Sequence, residues 1–323
     1  MASSLLLHEL AWRRIGGRLK DFPGIDPLVF TDAGVVTCAD RPLSPDQVRP
    51  DLVWYSVDLF VSPARESFVE RMRQAGGLKW VQVSAAGLDH AVFPELTARG
   101  VRLTTSHTHA ASVAEFVVAG VLDHYQRGRE RRAQQSERVW RPIFFREVMG
   151  THWLIVGFGS IGRCVAARAQ AFGATVTGIR RTPAPDGPAE RIAPLSELEH
   201  HVREADVVVL SIPLSAATTH LVGEDFLRAM KPGSTLVNVG RGGLVDEAAL
   251  LAALDRGTPE HAVLDVFETE PLPPDHPFWA HPRVALSPHS AAVTPHLYPR
   301  TDELFLDNLR RFLDGRDLLH EAR

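Results

Sequence analysis

The sequence predicts an α/β protein of two domains, the larger built on a doubly wound parallel sheet. Three observations carry that expectation. From Trp153 onward, short apolar segments alternate with helical ones in a regular rhythm. A glycine-rich turn, Gly157-Phe158-Gly159-Ser160-Ile161-Gly162, follows the first of those apolar segments and opens a helix. Arg241, Glu270 and His289 each follow a later strand of the same series. A chain of 323 residues has room for two cores.

Taken in order, the N-terminal part predicts short strands at Gly34–Thr37, Asp51–Trp54, Leu78–Val83 and Val101–Leu103, with a helix over Ala64–Ala75, as in a small α/β unit. A boundary falls near Thr104–Ala110. Ala111–Tyr125 is apolar almost all round, which predicts a helix buried between domains or subunits. Arg127–Trp140 is polar and arginine-rich and reads as a solvated helix or subunit arm. Strands are then expected at Trp153–Val156, Thr175–Ile179, Val207–Ile212, Thr235–Val239, Ala262–Val266 and Val284–Leu286. Helices are expected between them, at Ile161–Phe172, Leu195–Glu204 and Glu247–Asp255. The strands are nearly all apolar, as parallel strands covered on both faces must be. Asp302–Leu313 places Phe305, Leu309, Phe312 and Leu313 on one helical stripe, expected to pack back on the first domain. The domains are therefore drawn as residues 1–103 plus 291–323, and residues 104–290.

Composition removes several function classes. The chain is 45% hydrophobic and 23% charged with a formal net charge of −4, so it lacks the basic domain that nucleic-acid binding requires. Cys38 and Cys164 are the only cysteines, too few for a disulfide framework, which fits a reducing, cytoplasmic location. Met1–Leu10 has no basic start and carries His8 and Glu9 within its apolar part, unlike a signal peptide. The longest apolar stretch, Phe116 to Leu122, falls far short of the roughly 20 residues a membrane helix needs.

In the glycine turn, Gly157 permits the tight bend, Gly159 lets the backbone approach a pyrophosphate, and Gly162 lets helix and strand pack closely. Ser160 and Ile161 open the helix, whose free amides favour phosphate. By context a Rossmann-type dinucleotide site is expected here, the alternative being a structural glycine-rich turn. At the end of the second strand, where an acid normally takes the ribose hydroxyls of NAD, stand Arg180, Arg181 and Thr182. The nearest acid, Asp186, lies beyond two prolines. Guanidinium groups grip phosphate oxygens bidentately, so NADPH (NADP) is the expected cofactor, with NAD second. The alternative is a solvated loop with incidental arginines.

Ligands of an open parallel sheet bind at the carboxyl ends of its strands. A fork-shaped cation (Arg241), a carboxylate (Glu270) and an imidazole (His289) would thus converge on one crevice, able to grip a small acid and move a proton on its carbonyl. Each has a plain alternative: Arg241 pairing with Asp246, Glu270 as a surface charge, His289 as a satisfied core histidine.

The chain resembles the D-isomer-specific 2-hydroxyacid dehydrogenase family, on its glyoxylate/hydroxypyruvate-reductase-like, NADP-type side. The resemblance rests on linked motifs in order: Ser84-Ala85-Ala86-Gly87-Leu88-Asp89, Ser112-Val113-Ala114-Glu115, the glycine turn, Pro213-Leu214 with Thr218, Asn238-Val239-Gly240-Arg241-Gly242, Asp265-Val266-Phe267, Glu270-Pro271-Leu272 and Pro288-His289. It implies a Rossmann cofactor domain, a smaller flavodoxin-like substrate domain that is discontinuous in sequence, an active site in the cleft between them, and a homodimer formed through the cofactor domain. It implies that Arg241 holds the substrate carboxylate and polarises its 2-oxo group, that His289 donates the proton during reduction, and that Glu270 hydrogen-bonds the imidazole and favours its charged form. Ala86 and Gly87 would bind the carboxylate through backbone amides, and Asp265 would face the nicotinamide carboxamide. Ser211, Pro213, Thr218, Val239 and Gly240 complete the implied cofactor contacts, with Arg241 and His289 at their edge. The chain departs from the family after His289, where Ser290–His296 lacks a glycine-rich run. Formate dehydrogenases carry Gln where Glu270 stands, which sets that branch aside.

Trp54-Tyr55 ends a strand that lies by the substrate cleft in the family, so an aromatic wall favouring compact substrates is expected there, with a core role as the alternative. No metal site is expected. His107 and His109 lack acidic or cysteine partners, and His200-His201 sits late in a predicted helix, a solvated position. Cys164 is expected to pack as a small apolar residue. The rival reading is a nucleotide-sensing corepressor or scaffold that keeps the dehydrogenase fold.

Overall fold

Leu5, Leu6 and Leu7 are wholly buried, yet they face opposite ways, and that alternation explains the first half of the molecule. The computed structural model describes residues 3–88, 90–184 and 187–322, so Asp89 and Asp186 lie outside the described residues. The chain divides into two units, Met1–Thr108 with Thr294–Arg323, and His109–Val293. The sequence reading had drawn those breaks a few residues earlier.

The first unit runs β1 (Ser3–His8), α1 (Glu9–Leu19), β2 (Ile25–Phe30), β3 (Val36–Cys38), β4 (Arg41–Leu43), β5 (Leu52–Tyr55), α2 (Arg65–Gln74), β6 (Trp80–Val83), α3 (Val92–Ala98) and β7 (Arg102–Thr104). Its strand order is β4-β3-β2-β1-β5-β6-β7, with β3 and β4 antiparallel at the edge. The parallel strands alone, in their own sequence order, read 2-1-3-4-5, the flavodoxin-like order. Leu6, Val53, Tyr55 and Val81 pack with Phe68 and Met72 of α2. Leu5, Leu7, Trp54 and Trp80 face the other way, onto Ile15 of α1 and Phe305 and Leu309 of the C-terminal helix, Leu297–Leu313.

The second unit starts with α4 (Ala110–Tyr125) and α5 (Gly128–Glu137). It continues through β8 (His152–Val156), α6 (Ser160–Ala171), β9 (Thr175–Ile179), β10 (Arg191–Ala193), α7 (Leu198–Val202) and β11 (Val207–Leu210). Then follow α8 (Glu224–Ala229), β12 (Thr235–Asn238), α9 (Glu247–Arg256), β13 (His261–Leu264) and β14 (Val284–Leu286), which makes the C-terminal helix of the first unit α10. The sheet is parallel throughout, in the order β10-β9-β8-β11-β12-β13-β14, so the winding direction reverses between β8 and β11. Period-two alternation sends Leu154, Val156, Val208 and Leu210 to one face and Trp153, Ile155, Val207 and Val209 to the other. Asp246 caps α9, its carboxylate accepting the Ala249 amide at 2.9 Å, and Gly257 ends that helix at φ +88°.

Helix α4 packs on α6 and on β13 of the second unit, so closely that a side chain on Gly120 would collide with Val263. The unread elements include β1 with α1, α3 and the short edge strand β10.

Candidate active site

In the second unit every strand end is tied to its neighbour's, which aligns the loops that follow. The Gly157 amide donates to Ile179 O at 3.0 Å, Ser211 to Val156 O at 2.8 Å, Val239 to Leu210 O at 3.1 Å, Asp265 to Asn238 O at 3.0 Å and Ser287 to Leu264 O at 2.9 Å. All the candidate residues of this unit therefore lie along one carboxyl edge.

The glycine turn has the geometry its spacing predicts. Gly157 adopts φ +102°, and a side chain there would strike the Ser211 backbone. A side chain on Gly162 would strike the Gly157 carbonyl, so helix α6 sits hard against the turn. Gly159, the N-cap of α6, is different: nothing lies within 4 Å of where its side chain would be. That open space at the N-terminus of a helix fits a pyrophosphate. The Ser211 hydroxyl braces the turn, donating to Gly157 O at 2.8 Å. Arg180 follows β9, its amide held by Ala193 O at 3.0 Å, while Arg181 and Thr182 are exposed beside it. The loop after β11 carries Pro213, exposed, and Thr218, whose hydroxyl donates back to Pro213 O at 2.9 Å.

After β12 the backbone turns sharply. The Asn238 side chain clamps the turn, donating to Arg241 O at 2.9 Å and accepting the Gly240 amide at 3.1 Å. Gly242 is pressed against the backbone of Phe267 and Glu268, where any side chain would collide. Arg241 is half-buried, and its Nη1 donates to Gly240 O at 2.7 Å.

Glu270 and His289 meet. Glu270 accepts the Phe267 amide on Oε1 at 3.0 Å, and its Oε2 lies 2.8 Å from His289 Nδ1. This contact engages Nδ1 and so fixes the orientation of the ring. His289 sits at φ +51°, within a turn that hangs on Asp265. The Asp265 carboxylate accepts the Ser290 and Ala291 amides at 2.8 and 3.1 Å and the Ser287 hydroxyl. Burial pushes the Asp265 carboxyl above its ordinary range, against the pull of those donors. A small cation–carboxylate–imidazole set on adjacent strand ends can hold an acid by its carboxylate and hand a proton to a developing oxyanion.

Residues 118–291 match the sequence profile of the D-isomer specific 2-hydroxyacid dehydrogenase NAD-binding domain. The glyoxylate reductase of Thermofilum pendens is 36% identical over 258 residues, 76% of this chain and 75% of that protein. The chain belongs to this dehydrogenase family. Among solved structures, the family member from Xanthobacter autotrophicus, in complex with NADPH and MES, superposes with a TM-score of 0.78 at 29% identity, covering 100% of this chain and 98% of that one. The NADPH-dependent glyoxylate/hydroxypyruvate reductase of Sinorhizobium meliloti, in complex with NADP and sulfate, does so with a TM-score of 0.79 at 25% identity, covering 100% and 98%.

Within this dehydrogenase, the first unit places the Ala86–Gly87 loop after β6, with Ala86 exposed. Trp54 is not a pocket wall. It is wholly buried, its ring stacked on Phe305 at 4.9 Å, because its position on β5 faces α10. Tyr55 is buried as well, edge-on to Phe68 and Phe93, with its hydroxyl accepting from Arg65 Nε at 2.8 Å. His201 is buried rather than solvated, at 4% exposure. The sequence names Asp265 only as a cofactor contact and gives Asn238 no role of its own, so two positioning roles come from the structure. Asn238 had a signal, an Asx residue where a strand must turn, whereas the turn-holding role of Asp265 needed the fold to bring β13 and β14 together.

Among the described residues, no helix is long and apolar enough to cross a membrane.

Proposed function

We propose that this dehydrogenase reduces a small 2-oxo acid of the glyoxylate or hydroxypyruvate type to the D-2-hydroxy acid, with NADPH preferred over NADH. The observation that carries the proposal is the 2.8 Å contact between His289 Nδ1 and Glu270 Oε2 on the strand edge that also bears Arg241. Arg241 holds the carboxylate and polarises the oxo group, and the amides of Ala86 and Gly87 add donors for the same carboxylate. A nicotinamide cofactor, when bound, supplies the hydride. His289 then gives its Nε2 proton to the oxygen, and Glu270 supports the ring. Gly157, Gly159, Ser160, Ile161 and Gly162 cradle the pyrophosphate; Arg180, Arg181 and Thr182 receive the 2′-phosphate. Ser211, Pro213, Thr218, Val239, Gly240 and Asp265 line the rest of the cofactor's path. NADPH in the Xanthobacter structure and NADP in the Sinorhizobium reductase support the cofactor reading. Steady-state kinetics with a panel of 2-oxo acids and both cofactors test it. Turnover of none of the acids would overturn it and favour a nucleotide-sensing scaffold.

The same reading includes a homodimer formed through the second unit. After α5, residues 138–149 leave Trp140 and Phe144 almost fully exposed, at 101% and 98%, with Met149 at 71%. Apolar exposure of that extent on one segment marks a docking surface. Sedimentation should give a dimer, and Trp140→Ser with Phe144→Ser should give a monomer.

A further inference from the structure

We propose that His200, His201 and Glu204 form a binding site for a zinc-class divalent cation, separate from the active site. His200 and His201 are consecutive residues near the C-terminal end of α7, and Glu204 follows two residues past that end, where the chain turns. One ligand atom of each lies within 4.8 Å of the others. Among the described residues this is the one group of three or more that satisfies such a geometry.

The second observation is the state of His201. Its ring is 4% exposed, and its Nε2 makes no hydrogen bond. Glu197 Oε2 stands 3.7 Å from that nitrogen, beyond hydrogen-bond reach, and is itself engaged by Arg191 at 2.6 Å. Buried polar atoms are normally satisfied, so an imidazole held in this way needs a reason. An apolar residue would suit the packing of α7, whose Leu198 and Val202 already enter the core.

Geometry and chemistry then select the ligand. Metal–ligand bonds of about 2.0–2.2 Å in a tetrahedron put donor atoms roughly 3.3 Å apart. The group closes from its present spacing by rotating His200 and Glu204, both exposed, onto the fixed His201 ring. Two imidazoles and one carboxylate suit zinc and its neighbours, whereas magnesium and calcium take oxygen donors. Three protein ligands leave a position for water. The site lies on the connection between β10 and β11, while Arg241, Glu270 and His289 follow β12, β13 and β14.

The test is zinc titration by calorimetry on the chelator-treated full chain, at neutral pH and without cofactor, alongside His200→Ala and Glu204→Gln. Both substitutions fall on exposed side chains, and equal thermal midpoints of the metal-free proteins check that the fold is kept. The expected result is one tight equivalent of Zn²⁺, weakened roughly tenfold or more in each variant, since a lost ligand costs at least one decade of affinity. Bound Cu²⁺ should show hyperfine coupling to two nitrogens in the wild type and to one in His200→Ala. Zinc affinity unchanged in both variants would show binding at other histidines and overturn the proposal. So would a copper spectrum with the same nitrogen count in both proteins.

Discussion

The backbone amide of His289 donates to the carbonyl oxygen of Asp265 at 2.8 Å, and the Asp265 carboxylate takes the amides of the two residues that follow His289. One aspartate thus holds both sides of a turn in which His289 adopts φ +51°. Left-handed backbone at a non-glycine residue costs on the order of 1 kcal/mol and persists only where neighbours impose it. Asp265→Ala removes the carboxylate clamp but leaves the carbonyl. The expected outcome is a kcat about tenfold or more lower for the oxo acid, with KM for NADPH changed far less. A rise confined to the NADPH KM would leave Asp265 a cofactor contact with no part in holding His289.

For His289 and Glu270 the expected effects are graded. His289→Ala removes the proton donor and should cost about 10²–10⁴ in kcat, while NADPH still binds by fluorescence titration. Glu270→Gln keeps an acceptor for Nδ1 but removes the charge that supports an imidazolium. It should lower kcat for reduction by less than His289→Ala does. Equal activity of Glu270→Gln and wild type would break the pairing.

Arg241→Lys keeps one charge and loses the planar fork. The KM for the oxo acid should rise by about tenfold or more, by loss of a charge-assisted bidentate bond, while the KM for NADPH moves little. Unchanged oxo-acid kinetics would remove Arg241 from substrate binding.

Much of the second unit was legible because its physics is local. The strand at Val207–Leu210 could be read from an apolar run, and the glycine turn from three glycines whose roles are steric. The motif order brought Arg241, Glu270 and His289 forward before any geometry. Trp54 stays open between pocket wall and core in the sequence because orientation on a buried strand has no signature when both faces are apolar: Val53 and Trp54 are equally buried and point opposite ways. Strand β2 was missed because Pro27 and Asp26 interrupt its apolar pattern, and its place is set by pairing along the whole of β1. His201 reads as polar in sequence and is buried by tertiary packing alone.

Cofactor choice is expected to follow Arg180, which stands just past the end of β9. NADPH should give a higher kcat/KM than NADH. Arg180→Asp should erase or reverse that preference by removing one phosphate clamp worth roughly 1.5–3 kcal/mol. Equal efficiency with both cofactors in the wild type would sink the idea.

Acid sensitivity should centre on His261. Its ring stacks on His124 with centroids 4.2 Å apart and planes 2° from parallel. Burial, aided by the neighbouring His124, pushes the His261 pKa down to about 3, so the native ring is neutral. The unfolded chain takes up this proton near the ordinary histidine value of about 6.5. Between those two values the unfolded state binds more protons than the native one, so stability rises with pH across that window. The contribution is therefore complete above about pH 6.5 and is lost progressively as the pH falls toward 3. His124, itself lowered by burial, adds to the same loss. His261→Phe keeps an aromatic ring on His124 and cannot take up a proton. Its thermal midpoint should fall less than that of the wild type between pH 7.5 and pH 5. Parallel declines in the two proteins would place the acid sensitivity elsewhere.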